Sequence, residues 1–188
     1  MHIEDSYDPK YTLFLPCVKF QSMQNNNVQI RPVIKQDNRE LARIIRESLK
    51  EFGADKPGTV YYDESTDRLS EVFERKGSAY FVLLWNGEIA GGAGIFPTPG
   101  LPDDTCELVK MYLLPHARGK GFGYELLIRC SRFAAGNGYR KMYLETLPEL
   151  SLAISLYERF GFKRLDAPLG HTGHTGCNIW MIRDVHTD

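Results

Sequence analysis

The residues whose types and spacing most clearly indicate chemistry form one glycine-rich segment, Arg118-Gly119-Lys120-Gly121-Phe122-Gly123. Three alternating glycines allow positive φ angles, which can turn successive backbone N–H groups toward one ligand. The segment opens a predicted helix, whose first N–H groups are unpaired and carry the positive end of the helix dipole. Arg118 and Lys120 add two cations. The segment therefore predicts a phosphate-binding turn, and the alternative is a glycine-rich connector without a ligand.

The spacing of these glycines excludes two common nucleotide-binding turns. A P-loop requires G-x-x-x-x-G-K-[S/T], which no glycine of the segment satisfies. The dinucleotide fingerprint requires G-x-G-x-x-G near the first β-α turn of the chain, whereas this segment has G-x-G-x-G and lies late.

The elements that would position this turn follow from hydrophobic periodicity. Alternating or continuous apolar runs predict strands, and Asn86-Gly87 predicts a tight hairpin turn between two of them. Hairpins come early and β-α-β crossovers late, which predicts an α/β (α+β mixed) fold with a mixed sheet and helices on both faces. The predicted strands cover residues 28–33, 79–85, 88–96, 105–114, 139–146, a short segment after 162, and 178–185. The predicted helices cover about residues 38–52, 65–76, 121–135 and 148–160.

Composition predicts an ordinary globular protein. The chain has 188 residues, of which 43% are hydrophobic and 25% charged, with a formal net charge of −1. Near-neutrality gives no electrostatic footprint for nucleic acid, and no apolar run approaches the ~20 residues of a membrane helix. The four cysteines form no C-x-x-C pair, and no secretory signal is present, so we expect a cytoplasmic protein. Residues 1–27 are predicted to be an N-terminal extension, and residues 28–188 a single domain.

Three segments together resemble a known family. Arg118-x-x-Gly121-x-Gly123 matches the pattern [Q/R]-x-x-G-x-[G/A], and residues 153–162 are similar to A-x-x-L-Y-x-x-x-G-F. Residues 107–115 resemble the central strand that precedes the first motif. These are motifs of the GNAT superfamily of N-acetyltransferases, and the resemblance covers about residues 28–185. It implies a mostly antiparallel sheet that is splayed at its central strands.

The resemblance also implies the acyl donor, acetyl-coenzyme A, and the residues that would bind it. In the family, pantetheine pairs with the backbone of the central strand, which here corresponds to Met111 and Leu113. The pyrophosphate would bind backbone N–H groups of the glycine turn and the residue after it. These positions are Arg118, Gly119, Lys120, Gly121, Phe122, Gly123 and Tyr124. GNAT proteins often form dimers, so the resemblance allows a homodimer.

Two residues are candidates for the acid–base chemistry of amine acetylation. Tyr157 falls where the family often has a tyrosine near the thioester sulfur, and its phenol could protonate the departing thiolate. The alternative is a tyrosine of the hydrophobic core. Glu107 could take the proton of the amine, and strand alternation would place it on one face with Val109 and Met111, opposite Leu108 and Lys110. The alternatives are a solvated Glu107, or Glu145 as the carboxylate.

The acceptor side is predicted from the loops that border this pocket in the family. They contribute Tyr61 and Tyr62, together with His171 and His174, while Glu145 would line the same cleft. Two histidines in a loop without helical spacing do not indicate a metal site, and none is predicted. The family often has an asparagine where this chain has Leu150, so its side-chain contact is not expected here.

The predicted reaction is direct transfer of an acetyl group from acetyl-coenzyme A to a primary amine, of a small molecule or a peptide, without a metal. The alternative is a coenzyme A-binding sensor or interaction module without transfer activity. A third interpretation is the transfer of a longer acyl group, and the depth of the pocket would decide between acetyl and longer groups.

Overall fold

The computed structural model describes residues 28–170, 172, 173 and 175–185. The predicted extension at residues 1–27 lies outside the described residues, as do His171 and His174. The described residues build one sheet with helices packed against it.

Seven strands of the described part form a single sheet in the order β1-β2-β3-β4-β5-β7-β6. Every neighbouring pair is antiparallel except β4 and β5, which are parallel. The mostly antiparallel mixed sheet is thus confirmed. The strands are β1 (Val28–Pro32), β2 (Ala79–Trp85), β3 (Glu88–Phe96), β4 (Thr105–Leu113), β5 (Lys141–Thr146), β6 (Lys163–Leu165) and β7 (Ile179–Asp184).

Helices cover both faces of the sheet, as predicted. They are α1 (Asn38–Glu51), α2 (Leu69–Val72), α3 (Phe122–Gly136) and α4 (Ser151–Arg159). Alternate residues of β2 point to opposite sides, so Val82 packs with α1 and Leu83 with α3. The apolar stripe of α1 consists of Leu41, Ile45 and Leu49. The buried stripe of α3 consists of Leu126, Leu127, Cys130 and Ala134.

The predicted helix at residues 65–76 is shorter and less regular than expected. A 3₁₀ turn over Glu64–Arg68 precedes the four-residue α2. Asp63 caps this turn, since its carboxylate accepts from the backbone N–H of Ser65 at 2.8 Å. Short polar side chains that bond to nearby backbone compete with regular helix, and here they shape the loop between α1 and β2.

The sheet splays at its centre, between β4 and β5. The two strands pair only from Thr105 to Glu107 on β4. Just beyond, β4 carries one extra residue relative to β3, because Gly94 pairs with Val109 and Gly92 pairs with Tyr112. This β-bulge breaks the alternation of side chains and opens the sheet toward α4.

The bulge corrects the predicted faces of β4. Lys110 adopts φ 49°, in the left-handed region. Val109 packs with the α1 core as expected, but Met111 packs with the α3 core. The expectation that Met111 shares a face with Glu107 was therefore wrong. Lys110 correspondingly turns away from the Leu108 side, toward the loop before β2.

Candidate active site

A cleft of about 580 Å³ lies where β4 leaves β5, between the glycine turn and α4. We call it the donor cleft, after the acyl donor that the sequence predicts. Its wall includes most of the predicted donor-binding residues. These are Met111, Leu113, Arg118, Gly119, Gly121, Gly123 and Tyr124, with Tyr157 at the inner end. Ser48 and Phe52 of the α1 region and Leu150, Leu152, Ala153, Leu156 and Arg159 of the α4 region complete it, together with Tyr112.

The glycine turn has the geometry of an anion cradle. Gly121 precedes α3 with φ 86°, a conformation that disfavours any side chain. Among the described residues, no acceptor takes the backbone N–H groups of residues 119–123. Gly123 is closely packed, since a Cβ there would lie 2.8 Å from Leu156 Cδ2 and would have to displace that side chain. The first turn of α3 therefore presents unpaired N–H groups to the cleft, where a phosphate fits.

The cationic side chains of the turn are already engaged within the protein. The Arg118 guanidinium donates to both Glu51 carboxylate oxygens at 2.7 and 2.8 Å and to the Leu113 carbonyl at 2.9 Å. It also lies 5.1 Å from the centre of the Phe52 ring. Arg118 thus ties the turn to α1 and β4 while it lines the cleft.

Lys120 and Phe122 do not line the cleft with their side chains. The Lys120 ammonium lies 5.1 Å from the centre of the Trp85 ring, and Phe122 is buried in the α3 core against the same ring. These two residues can contribute to the cradle through their backbone N–H groups.

Tyr157 lies where the donor cleft meets a second cavity. It is 6% exposed, and its ring packs on Phe162 with the ring centres 5.8 Å apart. Burial raises the pKa of its phenol, which keeps the proton on the oxygen. None of the hydrogen bonds among the described residues involves this hydroxyl. A protonated phenol without a protein partner at the junction can donate to a ligand.

The second cavity, of about 50 Å³, is lined by both predicted carboxylates, Glu107 and Glu145. It shares four wall residues with the donor cleft. These are Met111, Tyr112, Leu150 and Tyr157. A group in the small cavity therefore lies next to the inner end of the donor cleft.

Glu107 is a buried carboxyl group with an altered proton affinity. It is 3% exposed and accepts a hydrogen bond from the Thr98 hydroxyl. Burial raises its pKa to about 7, the bond from Thr98 opposes this, and the negative charge of Glu145 adds to it. The carboxyl group is thus suited to accept and release a proton near neutral pH.

Glu145 lies on β5 and is less buried. Its Oε1 accepts a hydrogen bond from the Tyr143 hydroxyl at 2.8 Å, and that hydroxyl in turn accepts from the backbone N–H of Leu169 at 3.1 Å. Burial raises its pKa as well. Glu145 is therefore held in place at the cavity wall by its own strand and by the chain before β7.

Lys110 is a buried cation beside the bulge. Its side chain is 6% exposed, and its ammonium donates to Asp63 at 2.5 Å and to the Thr66 hydroxyl at 3.2 Å. The Tyr80 hydroxyl donates to the Lys110 carbonyl at 2.9 Å. Side chain and backbone of Lys110 are both fixed, so the bulge is tied to the loop after α1.

The structure does not bring every predicted acceptor residue to the small cavity. Thr59 and Val60 line it, whereas Tyr61 and Tyr62 do not. Tyr61 packs beside the α1 core, and Tyr62 is 62% exposed against the edge of Tyr61. His171 and His174 lie outside the described residues.

Three site features were missed from the sequence. Thr98 is nine residues from Glu107, and only the antiparallel register of β3 and β4 brings them together. The Lys110–Asp63 ion pair spans 47 positions. Tyr112 lines both cavities beside Tyr157, and its position after the bulge sets its direction. A charged residue in the mainly apolar second half of β4 was the one available signal for Lys110.

Comparison with known sequences decides the family. The profile of the "Acetyltransferase (GNAT) family" matches residues 40–162, which include β4, the glycine turn and α4. The chain belongs to the GNAT acetyltransferase family. This confirms the resemblance and the predicted enzyme class.

Relatives and solved GNAT structures agree with this assignment. The Escherichia coli (strain K12) protein named "Uncharacterized N-acetyltransferase YjgM" is 42% identical over 167 residues, covering 86% of this chain and 99% of the relative. Human N-acetyltransferase 8B is 27% identical over 72% of this chain and 60% of its own. The fold is similar to that of a Staphylococcus aureus GNAT acetyltransferase, with TM-score 0.75, 18% identity, and coverage of 85% and 99%.

The fold is also similar to that of a Thermoplasma acidophilum PaiA N-acetyltransferase solved in complex with coenzyme A. The TM-score is 0.65 at 21% identity, over 84% of this chain and 98% of the other.

In residues 28–170, 172, 173 and 175–185, no three His, Cys, Asp or Glu side chains are grouped to hold a metal ion. No helix in the same ranges is long and apolar enough to span a membrane.

Proposed function

We propose that this GNAT protein transfers an acetyl group from acetyl-coenzyme A to a primary amine, with Glu107 as base and Tyr157 as acid. The observation that carries the proposal is the junction at Tyr157. There, a cleft with an N–H cradle meets a cavity with a carboxylate of raised pKa. Each cavity provides what one substrate of the reaction requires.

The donor cleft fits acetyl-coenzyme A as a substrate. The unpaired N–H groups of residues 119–123 would hold its pyrophosphate, and the backbone of Met111 and Leu113 would pair with pantetheine beyond the β4–β5 splay. Arg118 positions the turn through Glu51. With the pyrophosphate at the turn, the thioester would lie toward the inner end of the cleft, near Tyr157.

The reaction needs one proton taken and one proton given. The amine nitrogen attacks the thioester carbonyl, forms the C–N bond and passes its proton to the Glu107 carboxylate. A backbone N–H of the bulged β4 would stabilise the oxyanion. As the C–S bond breaks, the thiolate takes the phenolic proton of Tyr157. Tyr157 then regains a proton from solvent and Glu107 releases its proton to solvent, which restores both groups.

Binding and chemistry can be tested separately. Calorimetric titration with acetyl-coenzyme A should show saturable binding that weakens in Arg118→Ala, because the turn loses its ties to Leu113 and Glu51. Absence of binding would contradict the proposal. Binding without release of coenzyme A thiol to any amine would favour the sensor alternative.

The role of Tyr157 has a matched control. Tyr157→Phe should lower kcat by about 100-fold or more while the dissociation constant of acetyl-coenzyme A changes less than about twofold. Tyr139→Phe removes a hydroxyl that donates to the Gly77 carbonyl outside both cavities, and should leave kcat unchanged. An unchanged kcat in Tyr157→Phe would remove Tyr157 from the mechanism.

A further inference from the structure

The small cavity beside Tyr157 carries an excess of negative charge. Glu107 and Glu145 both line it, and each is fixed by a hydroxyl donor, from Thr98 and Tyr143 respectively. The charge of Glu145 raises the pKa of Glu107, so the two carboxyl groups interact across the cavity. An ammonium group that enters here meets two acceptors of opposite charge.

The positive charge in the wall of the small cavity belongs to Lys110, which already has an anionic partner. Lys110 is the one Lys or Arg among the described wall residues, and its ammonium donates to Asp63 and Thr66. Its remaining exposure is 6%. Asp63 is thus the direct partner of Lys110, whose charge has only the smallest of the four effects on the pKa of Glu107, and the residue offers no unpaired cation to a substrate carboxylate.

The rest of the wall is apolar and close. The cavity measures about 50 Å³, which limits the group next to the reacting nitrogen to a small one. The wall includes the apolar side chains of Leu49, Val60, Leu108, Val109, Met111, Leu144, Leu147 and Leu150. Such a wall suits a small alkyl group next to the amine.

We infer that the acceptor is a primary amine with an apolar body and no anionic group next to the reacting nitrogen, and that Glu145 enforces this choice. The inference rests on the proposed function, since it names the substrate class of the same site. An α-amino acid would bring its carboxylate within two bonds of the nitrogen, beside Glu107 and Glu145. Like charges juxtaposed in a confined site are strongly disfavoured when no cation balances them, and the described wall residues include no unpaired Lys or Arg.

The test uses leucine and two of its analogues: 3-methylbutylamine, which is leucine without the carboxylate, and leucinamide, in which a neutral amide replaces it. Initial rates of coenzyme A thiol release give kcat/KM for each, corrected for the fraction of free amine at the assay pH. We expect leucine to react at least about 100-fold less efficiently than 3-methylbutylamine. Leucinamide keeps the volume of leucine without its charge, so it should recover most of the loss.

A variant assigns the discrimination to Glu145. In Glu145→Gln the ratio of 3-methylbutylamine to leucine should fall at least about tenfold, chiefly through KM, with unchanged affinity for acetyl-coenzyme A. Glu149→Gln is the matched control. Glu149 pairs with Lys56 outside the cavity, so the ratio should keep its wild-type value.

The outcomes separate this inference from the proposed function. Binding of acetyl-coenzyme A with equal or better use of leucine would overturn the inference and leave the proposed function in place. The same holds if leucinamide is as poor as leucine, because size would then be the cause. Failure of all three acceptors, with acetyl-coenzyme A bound, would also overturn it. Failure of acetyl-coenzyme A to bind would overturn the proposed function.

Discussion

The pH dependence of acetyl transfer should report the ionisation of Glu107. Its pKa of about 7, against an ordinary 4.5, corresponds to about 3 kcal/mol of preference for the neutral form in the folded protein. A base must be unprotonated, so kcat/KM should fall about tenfold per pH unit below pH 7 and level off above it. This fall in kcat/KM is the acidic limb of the pH profile, and a glutamate of ordinary pKa would place it more than two pH units lower.

Two neighbours of Glu107 should move the acidic limb in opposite directions. Thr98→Val removes a donor that stabilises the charged carboxylate, so the pKa should rise and the limb should shift upward by about 1–2 pH units. Glu145→Gln removes a like charge, so the limb should shift downward. The effect of Thr98 is the larger of the two.

The assay is thiol release from acetyl-coenzyme A at subsaturating amine, from pH 5 to pH 9, with rates expressed per free amine. Glu107→Gln should lower kcat/KM by about 10²–10⁴-fold and remove the limb, while acetyl-coenzyme A binding persists. If the limb stays in place in both Thr98→Val and Glu145→Gln, or moves the same way in both, Glu107 is not the group that titrates. The assignment of the base would then be refuted.

Three further perturbations follow from the same geometry. Burial favours neutral Glu107, so its contribution to the free energy of unfolding is present below pH 4.5 and is lost as the pH rises to about 7. In chemical denaturation, Glu107→Gln should therefore be more stable than the wild type by up to about 3 kcal/mol at pH 8, and by little at pH 4.5. Lys110→Met should cost about 3 kcal/mol, because the half-buried Asp63 carboxylate keeps its hydrogen bonds from Ser65 but loses its cation. Adding Asp63→Asn should restore most of this stability, and equal losses in the single and double variants would contradict a paired role. Gly123→Ala should cost about 1–3 kcal/mol and weaken acetyl-coenzyme A binding in calorimetry, because its Cβ would meet Leu156 at 2.8 Å; unchanged affinity would argue against close packing at the cradle.

The parts of the fold that were predictable are those with local causes. The Asn86-Gly87 hairpin, the apolar stripe of α1 and the glycine turn before α3 each depend on a few neighbouring residues. The bulge at Lys110 depends instead on the pairing of β4 with β3, and it reversed the predicted positions of Lys110 and Met111. Alternation alone cannot show where a strand gains a residue.

The partners of the predicted site residues were not predictable for the same reason. Thr98 reaches Glu107 only because two strands pair in one register, and Asp63 reaches Lys110 across 47 positions. The motif match located Tyr157, but only the packing of α4 shows that its hydroxyl lies between two cavities. The sequence named Glu107 and Tyr157 as candidate base and acid, and tertiary contacts set the proton affinities of the two groups.

Two charged residues in the middle of β4 show why the site is recognisable at all. Local consistency would favour apolar residues at Glu107 and Lys110, and a non-glycine residue at φ 49° adds a cost of about 1–2 kcal/mol. Lys110 is retained with Asp63 and Tyr80 as fixed partners, which hold the bulge that separates β4 from β5. Glu107 has a hydroxyl donor and no cationic hydrogen-bond partner, so its raised pKa follows directly from its place at the splay. The same bulge thus opens the donor cleft and creates the environment in which a glutamate can act as a base near neutral pH.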